Sequence, residues 1–573
     1  MRLTGGRFAA LVAAATLVTV SLADAAPKRP RAVAKGASQR RGAAGAAVGA
    51  ARVTFGVAGV LRQIDPRGRR AESLTIEEDT ARRIEALLRG PLRMGTTGIY
   101  VADARTGHPL FAVNPDDPLN PASNVKLLST AAAIEILGPE FRYQTRLLGA
   151  VPHHNVVQGD LYLLGSFDPT LGSGALEQLA AELATAGVTR VEGSVVVSES
   201  ATRDAVYRAL LPVQISAPSA AGAPPTVTLP PGYDFIVPRV TATAVTGRKA
   251  RRARLRFSEE ESASEGGDAR VTLTISGTIR AGRSLTHWYW VRDRGRHAAH
   301  LLRAALAAQG VAVAGDVRKA ELPAYLYDQF RQGTLPVVLA THRSAPLAEI
   351  VASVNKRSIN WLADRVIMTA AALKYNDLPS MDRGVEAMYD WLSRWLHVGK
   401  SEILIDTGSG LSYATQFSAR HIAEVVRVAG GFATDQEHDP QHRLWLDSLA
   451  FADGAVRDGT LRGRFRGGLA GRLRGKTGTL STSIALSGVL EADPDRPLVF
   501  SIVTNSASAL PKRRVRAGHE KIISLLGQYV SRRRARPRAE AAPPAAVTPP
   551  GQGAGLEDLG PGEEDGEHAE DDR

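Results

Sequence analysis

The apolar residues between Val125 and Leu137 recur on every side of a helix and not along a single stripe. A helix that is apolar all round is buried by its neighbours, and Gly138-Pro139 is a typical stop signal after it. We therefore predict a central, buried helix over these residues. Ahead of it, strand-like segments at 97–103 and 108–113, joined by a Gly-containing turn, predict a β-hairpin that leads directly into the helix.

The spacing of apolar residues also predicts the elements on either side of this hairpin and helix. One helix precedes the hairpin, helices alternate with loops after residue 340, and three apolar strands followed by a last helix close the fold. The predicted helices cover residues 75–88, 346–354, 361–373, 419–429 and 519–530, and the predicted strands cover residues 473–480, 484–490 and 498–504.

A different pattern fills the chain between residues 146 and 340. Short strand patterns dominate there, Pro- and Gly-rich stretches separate them, and one helix pattern stands among them. The predicted strands cover residues 160–164, 193–197, 254–257 and 270–277, and the helix covers residues 297–309. Because residues 341–530 resume the pattern of residues 73–145, we interpret 146–340 as a mostly β insertion within one domain.

The two ends of the chain have the composition of processed or unstructured segments. Two arginines precede an apolar stretch at residues 8–22, and small residues follow it, which is the pattern of a secretory signal peptide over residues 1–25. The composition of residues 26–72 predicts a flexible basic leader. The composition of residues 531–573 predicts a disordered tail whose last part is acidic. We therefore expect an exported, periplasmic or extracytoplasmic protein with at most peripheral membrane association.

Composition narrows the chemistry available to this protein. The chain has 573 residues and no cysteine, which excludes disulfides, thiolate zinc sites and cysteine nucleophiles. Lys and Arg outnumber Asp and Glu by 71 to 58, and the net charge of +13 raises nucleic acid or an anionic cell envelope as partners. The signal peptide pattern and the scatter of arginines through leader and tail favour the envelope, so we expect no nucleic acid partner.

Ser123 and Lys126 stand three residues apart at the start of the predicted central helix, and therefore share one of its faces. A lysine within apolar sequence is costly unless it has a purpose, and only 11 of the 71 basic residues are lysines. A desolvated lysine, unlike arginine, can lose its proton and act as the base for a serine nucleophile. The alternative is a serine helix cap beside a solvated lysine, and a second Ser-x-x-Lys at 353–356 shows how easily the spacing arises.

Two further groups of polar residues fit the same chemistry. Ser358 and Asn360 lie two apart before a predicted helix, where they can pass a proton and hold a peptide amide, although an ordinary helix cap is the alternative. On the first closing strand, a glycine lets an extended peptide approach a sheet edge, and a lysine with two hydroxyls can hold its terminal carboxylate. The residues of this second group are Lys476, Thr477, Gly478 and Thr479.

Ser-x-x-Lys, Ser-x-Asn and Lys-Thr-Gly in this order resemble the signature of penicillin-binding proteins and serine β-lactamases. The chain is most similar to one branch, the class C low-molecular-mass penicillin-binding proteins of the D-alanyl-D-alanine carboxypeptidase/endopeptidase family, which carry a large insertion between the first two motifs. The resemblance implies an α/β (α+β) fold in which helices flank an antiparallel sheet. It continues around the motifs in Pro121-Ala122-Ser123, Asn355-Lys356-Arg357-Ser358, Gly408-Ser409-Gly410-Leu411-Ser412, Asp458-Gly459-Thr460-Leu461 and Gly475-Lys476-Thr477-Gly478-Thr479-Leu480.

The resemblance implies a serine D,D-peptidase that cleaves peptidoglycan stem peptides through an acyl-enzyme and is inhibited by β-lactams. Ser123 is then the nucleophile, Lys126 its base and Ser358 the proton relay to the leaving amine, while Asn360 holds the substrate amide and Lys476 tunes the relay. No metal or organic cofactor is implied. The implied substrate-binding residues are Thr477, Gly478 and Thr479, with the backbone N–H groups of Ser123 and Thr479 holding the oxyanion.

The sequence departs from the family pattern at four positions. Ile359 replaces the usual Asp of the second motif, Thr407 and Tyr413 replace an Asp and an Arg, and Ser198 stands where an Asp often contacts the free amine of the substrate side chain. These departures leave open a catalytically weakened or inactive envelope protein that binds peptidoglycan. A β-lactamase is a further alternative, which the insertion disfavours. The balance between carboxypeptidase and endopeptidase is not decided by the sequence.

Overall fold

A computed structural model describes residues 78–198, 210–230, 233–264, 267–320, 338–434, 436, 439–452, 459–465 and 468–535. The predicted signal peptide (1–25), the basic leader (26–72), the predicted start of the first helix and most of the tail lie outside the described residues.

Helices and strands are numbered here in chain order. The helices are α1 Glu78–Arg89, α2 Val125–Leu137, α3 Ser173–Thr185, α4 Gly247–Ala250, α5 Arg294–Ala308, α6 Leu347–Arg357, α7 Asn360–Tyr375, α8 Met381–Leu396, α9 Ala419–Ala429, α10 Pro440–Asp447 and α11 Lys512–Ala535. The strands are β1 Thr96–Asp103, β2 Pro109–Val113, β3 Gln144–Leu148, β4 Val156–Val157, β5 Leu161–Leu164, β6 Arg190–Val191, β7 Val195–Ser198, β8 Leu210–Ser216, β9 Thr226–Thr228, β10 Ile236–Val240, β11 Thr243–Val245, β12 Leu255–Ser264, β13 Gly267–Arg280, β14 Ser284–Trp290, β15 Ala312–Val313, β16 Val317–Ala320, β17 Val338–Arg343, β18 Ala450–Phe451, β19 Leu473–Thr479, β20 Ser483–Leu490 and β21 Leu498–Asn505.

A six-stranded antiparallel sheet, in the order β18-β19-β20-β21-β1-β2, forms the centre of the main domain. Every residue of β20 is buried, because helices cover both faces of the sheet. Alternate strand residues point to opposite faces. Those on one face pack with α1 and α11, and those on the other pack with α2, α6, α7, α8, α9 and α10. The predicted hairpin and the three predicted closing strands are confirmed.

The predicted central helix is confirmed as α2 over Val125–Leu137. Its first ten residues are all buried, as its apolar character on every side requires. The chain leaves the helix at Gly138, whose φ of +78° suits a glycine. A single turn of 3-10 helix over Ala122–Asn124 precedes α2 and carries Ser123.

Within its described residues, the insertion contains two large hydrophobic cores and a small third cluster, and it has more helix than predicted. In the first, α3 and α5 pack on a five-stranded sheet in the order β16-β7-β5-β3-β17. The second, β8 to β14, is built almost entirely of strands. Helix α3 was not predicted, but across the described insertion strand residues outnumber helical residues, as a mostly β insertion requires. Strands β3 and β17 pair with each other and straddle the predicted boundaries at 146 and 340.

The last helix differs most from its prediction in length. It begins at Lys512 and continues to Ala535, where the sequence pattern predicted 519–530. Residues 531–535 are therefore helical, which corrects the predicted start of the disordered tail at 531. Helices α8 and α10 were also not predicted. Among the described helices, none combines the length and the apolar character that crossing a membrane requires.

Candidate active site

Ser123 and Lys126 meet at the mouth of the central helix, as their spacing predicts. Lys126 Nζ lies 3.0 Å from Ser123 Oγ, and it donates to Asn360 Oδ1 at 2.7 Å and to the carbonyl oxygen of Ser409 at 2.6 Å. An uncharged amine has two N–H groups and one lone pair. Because the amide and carbonyl oxygens can only accept, they take both N–H groups, and the lone pair is left for the Ser123 hydroxyl.

The burial of Lys126 makes this uncharged form accessible. The side chain is 0% exposed, and desolvation lowers its pKa to about 7, while the nearby carboxylate of Asp364 acts in the opposite direction. The carboxyl of Asp364 accepts hydrogen bonds from the Ser409 hydroxyl and from the backbone N–H groups of Gly408 and Ser409. It therefore holds the loop whose carbonyl contacts Lys126.

A break between two helices positions the second group. Helix α6 ends at Arg357. The next residue, Ser358, has a φ of 58° in the left-handed region, and α7 begins at Asn360. This sharp turn brings the Ser358 hydroxyl and the Asn360 amide to the same cleft. Ile359 between them packs partly buried against the helical core, so the replacement of the usual Asp leaves no polar side chain there.

Lys476 reaches this cleft from β19. It is fully buried, and its Nζ donates to Ser358 Oγ and to the carbonyl of Thr477, both at 2.8 Å. Desolvation, and secondly the charge of Lys126, hold the pKa of Lys476 well below its usual range. Ser358 thus lies between the lysine of the sheet and the cluster around the central helix.

The outer edge of β19 is open where a peptide would bind. Strand β18 pairs only with Gly475 and Arg474, so within the described residues no strand pairs with the outer edge of 476–479. Gly478 lies so close to Pro121 that a Cβ on it would stand 2.5 Å from the Pro121 carbonyl oxygen. A glycine is therefore required for the strand to approach the turn that carries Ser123.

All three groups face one cleft of about 840 Å³. The predicted site forms one part of the lining, and α11 and the residues before β19 form the rest. The lining residues are Ser123, Ser358, Asn360, Thr460, Arg464, Thr477, Thr479, Lys512, Arg513, Arg516, Ala517 and Glu520. The structure thus brings together the side chains of Ser123, Lys126, Ser358, Asn360 and Lys476, which are far apart in the sequence.

The second Ser-x-x-Lys, at 353–356, lies within α6 and does not form a site. Asn355 is fully buried and donates to the hydroxyls of Thr130 at 3.2 Å and Ser448 at 2.8 Å, which ties α6 to α2 and to the end of α10. The buried Asn355 of this copy therefore has a structural role, joining helices inside the domain.

The loop 406–413 accounts for two of the departures from the family pattern. Asp406, one position before Thr407, supplies a carboxylate that accepts from the hydroxyls of Ser412 and Thr415. Tyr413 is exposed, and its hydroxyl lies 2.8 Å from Ser481 Oγ, beyond the end of β19. The remaining departure, Ser198, ends β7, and its neighbour Glu199 lies outside the described residues.

The sequence patterns do not identify Asp364 or the Ser409 carbonyl as parts of the site. A backbone carbonyl carries no residue-type signal, and Asp364 resembles any polar residue on a helix until α7 is packed against α2. In the described part of the chain, no group of three His, Asp or Glu side chains is arranged to hold a metal ion.

Comparison with known proteins agrees with this geometry. A sequence profile for the D-Ala-D-Ala carboxypeptidase 3 (S13) family matches residues 81–209 and 205–525. The chain belongs to this family. It is 30% identical over 462 residues to a D-alanyl-D-alanine carboxypeptidase of Actinomadura sp. (strain R39), covering 74% of this chain and 80% of that protein. It is 29% identical over 426 residues to a carboxypeptidase of Mycobacterium tuberculosis, covering 72% of this chain and 77% of that protein.

The solved structures support the fold of this S13 family member. Penicillin-binding protein 4 of Haemophilus influenzae superposes with a TM-score of 0.63 at 19% sequence identity, covering 78% of this chain and 99% of that one. The predicted fold class, an antiparallel sheet flanked by helices with a large insertion, is therefore confirmed.

Proposed function

We propose that this chain is a serine D,D-peptidase that cleaves peptides ending in D-alanyl-D-alanine, or cross-linked through D-alanine, by way of an acyl-enzyme. The observation that carries the proposal is the environment of Lys126: two acceptor-only oxygens take its N–H groups, so its lone pair faces Ser123. Membership of the S13 family supports the substrate class, which is the D-alanine end of peptidoglycan stem peptides.

The reaction begins when Ser123 Oγ attacks the carbonyl carbon of the penultimate D-alanine and gives its proton to Lys126. The negative charge on the carbonyl oxygen is held by the backbone N–H groups of Ser123 and Thr479. Asn360 then plays two parts, since its Oδ1 fixes the lysine while its amide nitrogen is free to hold the substrate backbone.

The leaving amine receives its proton through Ser358. Lys476 donates to the Ser358 hydroxyl at 2.8 Å and orients it, and the proton taken up by Lys126 is returned along this route. The hydroxyls of Thr477 and Thr479 hold the carboxylate of the leaving residue, for which the Thr479 hydroxyl turns away from the Gly478 carbonyl oxygen that accepts its proton at 2.7 Å. Water then attacks the ester on Ser123, releases the shortened peptide and restores the enzyme.

Two consequences for partners and compartment follow from this proposal. A β-lactam, whose amide lies in a strained ring, acylates Ser123 without a diffusing leaving group, and the ester then hydrolyses slowly. A peptidoglycan substrate also requires a protein outside the cytoplasm, which fits the signal peptide pattern over residues 1–25.

The proposal is tested by the release of D-alanine from an acyl-D-Ala-D-Ala peptide and by the cleavage of a cross-linked dimer. We expect Ser123→Ala to lower kcat by at least about 1000-fold. Ser353→Ala, which removes the serine of the second Ser-x-x-Lys, is the matched control and should retain activity. Hydrolysis that survives Ser123→Ala, or no hydrolysis of either substrate by the unmodified chain, would contradict the proposal.

A further inference from the structure

The wall of the cleft that α11 contributes is strongly basic. It is formed by the first turns of α11, where Lys512, Arg513 and Arg516 line the cleft beside Ala517 and Glu520. None of these side chains belongs to the machinery that activates Ser123. They lie in the same cleft as the catalytic residues, within reach of a bound substrate.

The positive charges of Lys512, Arg513 and Arg516 are not balanced by carboxylates within this wall. Glu520 accepts from Arg464 Nε at 2.6 Å, so the one carboxylate of the wall already has a cation. Among the residues that the structure describes, no carboxylate forms an ion pair with Lys512, Arg513 or Arg516. Arg516 Nη2 donates to Thr479 Oγ1 at 3.0 Å, so its guanidinium adjoins the strand that binds the substrate.

The proposed mechanism fixes which part of the substrate meets this wall. Ser358 gives its proton to the leaving amine, and the hydroxyls of Thr477 and Thr479 hold the carboxylate next to that amine. Because Arg516 donates to the Thr479 hydroxyl, its guanidinium lies beside the group that holds that carboxylate, and Lys512 and Arg513 of the same helix end line the cleft next to it, on the leaving-group side. The substrate groups that reach Arg516 are therefore those that depart with the leaving amine.

Resting on the proposed function, we propose that Arg516, Lys512 and Arg513 form a leaving-group subsite that binds a second carboxylate of the departing residue or peptide. Guanidinium groups bind carboxylates in a planar, two-point geometry, and ammonium groups add charge. A lone D-alanine has no second carboxylate. A peptide released from a cross-link carries further carboxylates, so the subsite favours cleavage of acidic cross-linked peptides.

A pair of substrates that differ only in this charge tests the subsite. Acyl-D-Ala-D-Glu and acyl-D-Ala-D-Gln have the same shape, and only the first brings a second carboxylate to the wall. We expect a kcat/KM ratio of about fivefold in favour of D-Glu, the size typical of exposed ion pairs, falling as salt is added. Arg516→Gln and the double variant Lys512→Gln/Arg513→Gln should each bring the ratio towards one.

Arg514→Gln is the matched control, because Arg514 is an exposed cation of the same helix turn that does not line the cleft. It should leave the ratio unchanged. Should neither peptide be hydrolysed at a measurable rate, their competition with labelled penicillin for acylation of the wild type gives the same comparison. A ratio of one or below in the wild type, by either readout, overturns the subsite.

The subsite and the proposed function fail in different ways. If penicillin acylates Ser123 but D-Glu and D-Gln peptides are equivalent, the enzyme is as proposed and the subsite is wrong. If penicillin does not acylate the chain and neither peptide is cleaved, the proposed function is wrong and the subsite falls with it.

Discussion

Two buried lysines define the chemistry at the scale of single residues. Lys126 and Lys476 are both 0% exposed in a chain whose basic residues are mostly arginines, and burial lowers the pKa of each. An arginine at either position would remain charged and would demand a buried counter-ion. Burying an amine costs desolvation free energy. The protein buries lysine at the two positions where the chemistry requires a group that can lose its proton.

Replacing Lys126 by arginine should separate charge from basicity. Lys126→Arg keeps a cation in reach of Ser123 but cannot accept its proton, so we expect acylation by penicillin to slow by at least about 100-fold. In the wild type, Lys126 is protonated below its pKa of about 7, so the acylation rate should rise as pH passes through 7 and level off above it. Lys356→Arg is the control. A rate independent of pH between 6 and 8 would contradict the role of Lys126.

Asp364→Asn tests the electrostatic neighbour of Lys126. The carboxylate stabilises the protonated amine and so raises the pKa of Lys126, and its removal should lower that pKa. The midpoint of the pH profile of penicillin acylation should therefore move to lower pH. Asp377→Asn, at an exposed position just beyond α7, should leave the midpoint in place. A midpoint that stays fixed or rises in Asp364→Asn would contradict the electrostatic effect of this carboxylate on Lys126.

At the scale of elements, apolar periodicity alone predicts most of the helices and strands of the main domain. The helix at 419–429 and the strand at 498–504 agree with α9 and β21 to within a residue. Helix α3 was missed although Leu176, Leu179 and Leu183 recur at helical spacing. The Gly- and Ser-rich residues at its start resemble a loop, and the strand patterns around it favour β structure outside the one predicted helix at 297–309.

The loop after α8 depends on a glycine. Gly410 has a φ of +69°, and a Cβ there would stand 2.0 Å from the carbonyl oxygen of Ala122. Gly410→Ala should lower the thermal unfolding midpoint by about 2 °C or more. It should also slow acylation, since the same loop carries the Ser409 carbonyl that fixes Lys126.

The control for Gly410→Ala is Gly174→Ala. Gly174 lies in the first turn of α3, has no positive φ, and no atom lies within 4 Å of where its Cβ would be. Alanine there should be neutral or slightly stabilising. Equal effects of the two substitutions on the unfolding midpoint would contradict the argument from close approach.

At the scale of the whole molecule, the sequence predicted which motifs form the site but not how they are supported. Ser-x-x-Lys, Ser-x-Asn and Lys-Thr-Gly were recognised by their order, and the structure brings them into one cleft. The cationic wall was not predicted, because α11 was expected to begin at His519, past the three basic residues involved. Only the packing of α11 on the sheet, where Arg516 donates to Thr479 of β19, turns an ordinary run of basic residues into part of the cleft.

The export of the chain is a prediction about its first 25 residues. Expressed in a bacterium with a general secretion pathway, the full chain should leave the cytoplasm, and its mature form should begin at Ala26. Leu17→Arg, which places a charge within the apolar stretch, should leave the protein uncleaved in the cytoplasm. N-terminal sequencing of the fractionated protein decides this. A full chain that stays uncleaved in the cytoplasm would contradict the prediction.

The proposed reaction passes through one covalent event, the acylation of Ser123. Labelled penicillin, followed by proteolysis and mass spectrometry of the labelled peptide, tests it most directly. We predict one label per molecule on the peptide that contains Ser123, no label in Ser123→Ala, and full labelling in Ser353→Ala. Label on another residue, or labelling that persists in Ser123→Ala, would contradict the assignment of the nucleophile and the mechanism built on it.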